Sequence, residues 1–89
     1  MKLVKLVRVL DVNSYLEKQD ADAKRRAGRT FDLDKSFIVS GREAFLFCVY
    51  PDFVDSLFTS RVSLIIKSKT MVKLVTRNSI YLLEEVIWS

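Results

Sequence analysis

The chain has 89 residues, 49% of them apolar and ten of them aromatic, with a formal net charge of +4. That makes one domain over 1–89, near the small end of what folds without metal or disulfide, and too apolar to remain disordered. With no histidine, one cysteine and two glycines thirteen residues apart, the chain lacks the parts for a Cys/His zinc site, a histidine-assisted nucleophile or a phosphate-cradling glycine loop. The expectation is a protein that is not an enzyme, with no cofactor and no metal.

In chain order, "KLVKLVRVL" (2–10) is rich in Val and Leu and reads as a strand. Its cations Lys2, Lys5 and Arg8 recur every third residue, which suits neither a two-residue strand alternation nor a secretory signal. Asp11, Asn13 or Ser14 can cap a helix running to about Ala27, with Gly28 as its stop. Asp20–Lys24 and Asp22–Arg26 are acid-before-base pairs at i,i+4 that would support it. Its apolar face is thin, however: Tyr15 and Leu16, then only alanines.

"RTFDLDK" (29–35) reads as a connection. "SFIVS", Gly41-Arg42 and "EAFLFCVY" then read as a hairpin of two aromatic-rich strands, broken by Tyr50-Pro51-Asp52. Cys48, in the second of these, reads as a buried hydrophobe. "DFVDSLF" (52–58) suits a short second helix capped by Asp52. The last third gives three strand-like runs, "RVSLIIKS", "TMVKLVT" and "SIYLLEEVIW", joined at Ser68-Lys69 and at Arg77-Asn78. With two-residue loops at both joins, Val72 faces Ile65 and Leu83. One face then holds Ile65, Val72, Leu74, Tyr81 and Leu83; the other holds Val62, Leu64, Ile66, Met71, Val75, Ile80 and Leu82. A sheet apolar on both faces must be covered twice.

The fold expected from this order is α+β: a small, strongly curved antiparallel sheet or partly open barrel of five to six strands, with one helix in the N-terminal half and a short second helix. The alternative is a ferredoxin-like β-α-β-β-α-β order with an appended hairpin.

For function, charge distribution is more informative than net charge. Lys24, Arg25, Arg26 and Arg29 form the densest cluster, and no acid occurs from Ser56 to Leu83 against Arg61, Lys67, Lys69, Lys73 and Arg77. The residues singled out for binding nucleic acid or an acidic partner are Lys24, Arg25, Arg26, Arg29, Lys67, Lys69, Lys73 and Arg77. Asp32 and Asp34 are the one acid pair spaced to share a magnesium ion, but turn formation is their expected role. Phe45, Phe47 and Tyr50 resemble in spacing the aromatic strand of an RNA-recognition sheet, without its basic and glycine positions; core packing is expected for them. The surplus of apolar strand residues in so short a chain points to a macromolecular partner, a protein ahead of nucleic acid, or to a homodimer. No run approaches a membrane span, so a cytoplasmic protein that does not enter a membrane is expected.

Thr76, Asn78, Ser79 and Tyr81, in "LVTRNSIYLLEE", follow a T-x-N-S-x-Y pattern. This resembles the closing hairpin of short phage and mobile-element proteins of unassigned role. The resemblance implies a small binding protein, including inhibitors of host nucleic-acid-processing or defence complexes, and it brings no catalytic residues. Asn78 suits the turn because asparagine tolerates positive φ.

Overall fold

In the computed structural model, which describes residues 2–21 and 26–86, the chain forms six antiparallel strands that close into a barrel. The strands are β1 (Leu3–Asp11), β2 (Thr30–Phe37), β3 (Glu43–Tyr50), β4 (Leu57–Lys67), β5 (Met71–Thr76) and β6 (Ser79–Glu85). Each pairs with its neighbour in sequence, and β1 pairs with β6 from Val4↔Glu85 to Asp11↔Ser79 to complete the ring. This overturns the expected α+β architecture and its ferredoxin-like alternative. The sheet is closed rather than partly open, and among the described residues the helical positions are a 3-10 turn, Phe53–Asp55, and the single residues Ala21 and Arg26. Closure abolishes sheet edges and buries one of the two apolar faces, leaving the other on the outside of the barrel.

The expected first helix fails at its first turn. Asp11 does accept the backbone N–H groups of Asn13 and Ser14, at 2.8 and 3.0 Å. Tyr15 then enters the left-handed region at φ 61, and the chain doubles back so that Lys18 donates to the Val9 carbonyl. Leu10 forms a bridge with Glu17, alongside the half of β1 that β2 leaves unpaired. The polar residues read as a helix cap satisfy a turn instead, the competing use of such side chains. Residues 22–25, the middle of the expected helix, lie outside the described residues.

"FDLDK" is strand, not connection. Asp32 is buried and accepts the Asp34 N–H at 3.0 Å, and its carbonyl takes the Ser36 hydroxyl. These local bonds accompany a register break in which β2 pairs Asp32 with Phe47 and next Phe37 with Phe45. The expected second helix shrinks to the 3-10 turn, whose cap is Asp52 accepting the Phe53 N–H.

Inside the barrel, Val4, Leu6, Val9, Phe31, Leu46, Cys48, Leu57, Val72, Leu74, Tyr81 and Leu83 make one core. The turn at Arg77-Asn78 has two residues, fixed by Val75↔Ile80, and neither residue adopts positive φ. Buried Thr76 holds it, taking the Ser79 N–H and donating to the Ser79 carbonyl. The β4–β5 turn sits one residue later than expected, at Lys69-Thr70 with Ser68 N–H donating to the Met71 carbonyl, so Val72 pairs with Lys67 rather than Ile65, although Val72↔Leu83 is as read. A bulge between Val62 and Leu64 also turns Val62 into the barrel while Leu64 stays outside, separating two residues expected on one face.

Candidate functional site

Strand β3 alternates strictly. Ala44, Leu46 and Cys48 are buried, and Phe45 and Phe47 between them point outward. The core-packing role expected for these two rings is therefore wrong. Phe37 pairs with Phe45, and Phe45 pairs with Phe58, so three phenyl rings form one cross-strand row over β2, β3 and β4. Phe45 and Phe58 lie 4.9 Å apart between ring centroids, and Phe47 meets Phe45 edge-on at 6.4 Å. Phe58 is 73% exposed and Phe37 46%. Burying one such ring would be worth roughly 1.5–3 kcal/mol, so the row forgoes stability that an inward position would supply. Tyr50, the third residue of the expected aromatic strand, is also exposed but belongs to the other end of β3.

Cations attend these rings. The Lys35 ammonium sits 5.2 Å from the centre of Phe47, and the Arg42 guanidinium 5.6 Å from that of Phe37.

Beside the row lies a polar groove of about 800 Å³, lined by Glu43, Ser60, Arg61, Ser63, Arg77 and Asn78. The barrel's shear puts it there. Glu43 pairs with Arg61, two residues along β3 and three along β4 from the Phe45–Phe58 pair, across a register shift. The β5–β6 turn leans on the same stretch of β4: Arg77 N–H donates to the Arg61 carbonyl at 3.0 Å, and Asn78 N–H to the Ser60 hydroxyl at 3.3 Å. The backbone of the turn is thus spent on the fold, while its side chains face the groove.

The residues singled out from sequence do not converge. Lys24 and Arg25 lie outside the described residues. Arg26 is half-buried. Arg29 is turned inward, donating to the Asp55 carbonyl at 2.9 Å and meeting its carboxylate at 3.4 Å beside a smaller recess under Tyr50 and Pro51. Lys67 ends β4 and Lys69 follows in the β4–β5 turn, while Arg77 lies past the opposite end of β5, about 20 Å away at the usual strand rise. Lys73 lies between, on the outer face opposite Ile66 and Leu82. Arg77 alone joins the groove, in company with Arg61. Lys35, Phe37, Arg42, Glu43, Phe58 and Arg61 were not singled out. Of these, only Glu43 lies in "EAFLFCVY", whose period-two alternation gives two faces but not which is inner, and Arg61 carried only the signal of the acid-free basic run.

A second outward surface is aliphatic. Rows Leu10–Ile80–Val75–Leu64 and Arg8–Leu82–Lys73–Ile66 cross β1, β6, β5 and β4, with Leu64 49% and Ile66 46% exposed but Ile80 fully buried.

Among the described residues, two titrating groups are displaced from their ordinary values. Hydrogen bonds from the Ser14 and Asn13 N–H groups hold the Asp11 carboxyl below 3.8. Burial holds the Cys48 thiol above 9.0, partly opposed by the Tyr50 and Asp52 backbone. Among the described residues no three acids or thiols gather to hold a metal ion, and no helix is long and apolar enough to cross a membrane. Asp32 and Asp34 do not form a shared site, since Asp32 is buried and bonded to the Asp34 backbone.

No family model, curated protein or solved structure matches this chain.

Proposed function

We propose that the barrel is a non-enzymatic, intracellular binding module that takes single-stranded nucleic acid across the Phe37–Phe45–Phe58 row. The observation that carries this reading is the row itself: three phenylalanines paired across three strands on an outer wall, with the Phe45 and Phe58 rings in contact, and flanked by Lys35, Arg42, Arg61 and Arg77. Bases have flat apolar faces joined by an anionic backbone, so rings for stacking and cations for phosphates are the two complements they need. A row over three strands spans about 10 Å, room for about two or three stacked bases. A duplex keeps its base faces inside and could use only the cations.

The test is fluorescence anisotropy with a labelled single strand and its duplex at about 50 mM salt. Single-strand binding should exceed duplex binding and should fall with salt at a log–log slope of about −3 if four phosphates are neutralised. Phe58→Ala should weaken it about 5- to 100-fold, the range of losing one stacked base. Absence of single-strand binding at that salt, or indifference to Phe58→Ala, would sink the reading.

A protein partner or self-association is the second reading, favoured by the aliphatic wall of Leu64, Ile66, Val75 and Leu82. The inhibitor role implied by the T-x-N-S-x-Y hairpin would run through that wall. Arg8 and Lys73 flank Leu82 within one row, so an acidic protein surface suits it better than a two-fold copy carrying the same cations.

A further inference from the structure

We infer that the groove beside the aromatic row takes a guanine base, so that the single-strand binding on which this inference rests is selective for guanine at one position. The groove holds two guanidinium groups, Arg61 and Arg77, but a carboxylate, Glu43, stands among them. Were phosphate the only ligand, Glu43 would repel it and weaken the site. A carboxylate is instead the complement of two adjacent N–H donors.

Among the four common bases, only guanine presents such a pair on its Watson–Crick edge, N1–H beside N2–H₂. Adenine and cytosine set one amino group beside an acceptor, and uracil or thymine sets one N–H between two carbonyls. Guanine's remaining acceptors, O6 and N7, are what an arginine fork donates to. The groove therefore holds complements for both halves of one base: Glu43 for its donors, and Arg61 or Arg77 for its acceptors or its phosphate.

These groups are free for the task. Among the described residues, the side chains of Glu43, Arg61, Arg77 and Asn78 make no hydrogen bond or salt bridge to the protein, although they line one groove. The backbone around them is anchored, through Arg77 N–H to Arg61 and Asn78 N–H to Ser60. The groups thus sit on a fixed frame. The location fits as well: Glu43 and Arg61 form the cross-strand pair next to Phe45 and Phe58, so a strand stacked on the row passes directly into the groove.

The experiment uses the full chain and a set of labelled oligouridylates, identical except for one central base: guanine, adenine, cytosine, uracil or hypoxanthine. Wild-type protein should bind the guanine oligomer about tenfold more tightly than the other standard bases, the scale of one good bidentate pair. Hypoxanthine, which lacks the N2 amino group, should lose most of that advantage. Glu43→Gln should bring guanine to within about twofold of uracil and leave all-uracil binding unchanged or slightly tighter, since a repulsive charge is removed. Glu43 is exposed, so circular dichroism should show the variant folded. Equal binding of all bases by wild type, or a guanine preference that survives Glu43→Gln, would overturn the inference while leaving single-strand binding intact. Failure of every oligomer to bind would instead remove the single-strand reading, and the guanine site with it.

Discussion

The barrel has two apolar outer walls, and they differ in kind. The wall of β2, β3 and the first half of β4 carries phenyl rings, with cations stacked on two of them. The wall of the second half of β4 with β5, β6 and β1 carries Leu, Ile and Val, with cations set between them. Aliphatic side chains can gain only from being covered. Phenyl rings also offer flat, polarisable faces that accept bases or guanidinium planes. The two walls share one strand and meet at the bulge in β4 between Val62 and Leu64, which changes which residues face out. One strand thus serves two surfaces of different chemistry, and apolar surplus by itself does not say which chemistry a surface has.

The largest effect should separate inner from outer positions on neighbouring strands. Leu46 is fully buried between outward Phe45 and Phe47. Leu46→Ala should cost about 2–5 kcal/mol in urea denaturation, the usual range for such a cavity. Phe58→Ala, with its ring mostly in solvent, should stay within about 1 kcal/mol. Equal losses would mean that the aromatic row is a core element, and the comparison of walls would collapse.

Next comes a contrast between cations. Arg77→Ala should weaken single-strand binding about threefold to tenfold and make the salt slope shallower by about 0.7, one phosphate's worth on a single strand. Lys73→Ala, on the aliphatic wall, should change neither. Anisotropy over a salt series reads both, and matching effects would put the strand on the wrong wall. Arg29 makes a third case: Arg29→Ala should cost about 1–2 kcal/mol of stability through its bonds to Asp55, without altering the salt slope.

These contrasts show where the sequence was legible. The strand tracts of the last third and the tight turn at Arg77-Asn78 were readable, because β-branched runs separated by polar pairs leave few other readings. The helix over 11–27 was a reasonable misreading. Asp11 does bond the N–H groups expected of a cap, but local bonds cannot tell a helix start from a turn. The decision fell to tertiary pairing of 16–18 with β1. The site was hidden for a related reason. Period two divides "EAFLFCVY" into Ala, Leu and Cys against Phe and Phe, and composition favours burying the rings. The barrel buries the smaller set, because the interior also receives Phe31, Tyr81 and four further leucines. The Glu43, Arg61 and Arg77 side chains are brought to one groove only by the barrel's shear, which no local pattern encodes.

A smaller effect should come from the aliphatic wall. Leu64→Ser with Ile66→Ser should change stability by no more than about 1 kcal/mol, since both are half exposed. Single-strand binding should be untouched. If the wild-type chain self-associates in light scattering, this pair should abolish it, and an association that persists would exclude this wall as its interface.

The smallest effect concerns Cys48, which shares β3 with the outward rings yet points inward. Burial favours the neutral thiol, so its folded value lies above the ordinary 9.0. The folded chain therefore holds this proton more tightly than the unfolded chain does. The resulting stability is intact below pH 9.0 and is lost as pH rises from there through the folded value. Denaturation midpoints should accordingly decline slightly above that pH in wild type, and less so in Cys48→Ala. Alkylation gives a sharper reading of the same geometry. Cys48 should react with iodoacetamide only at the rate at which the barrel opens, whereas in a Cys48→Ala chain carrying Phe47→Cys the neighbouring thiol should react at nearly the rate of a free one. Comparable rates at the two positions would mean that β3 does not keep its alternation, and the outward ring row depends on that alternation.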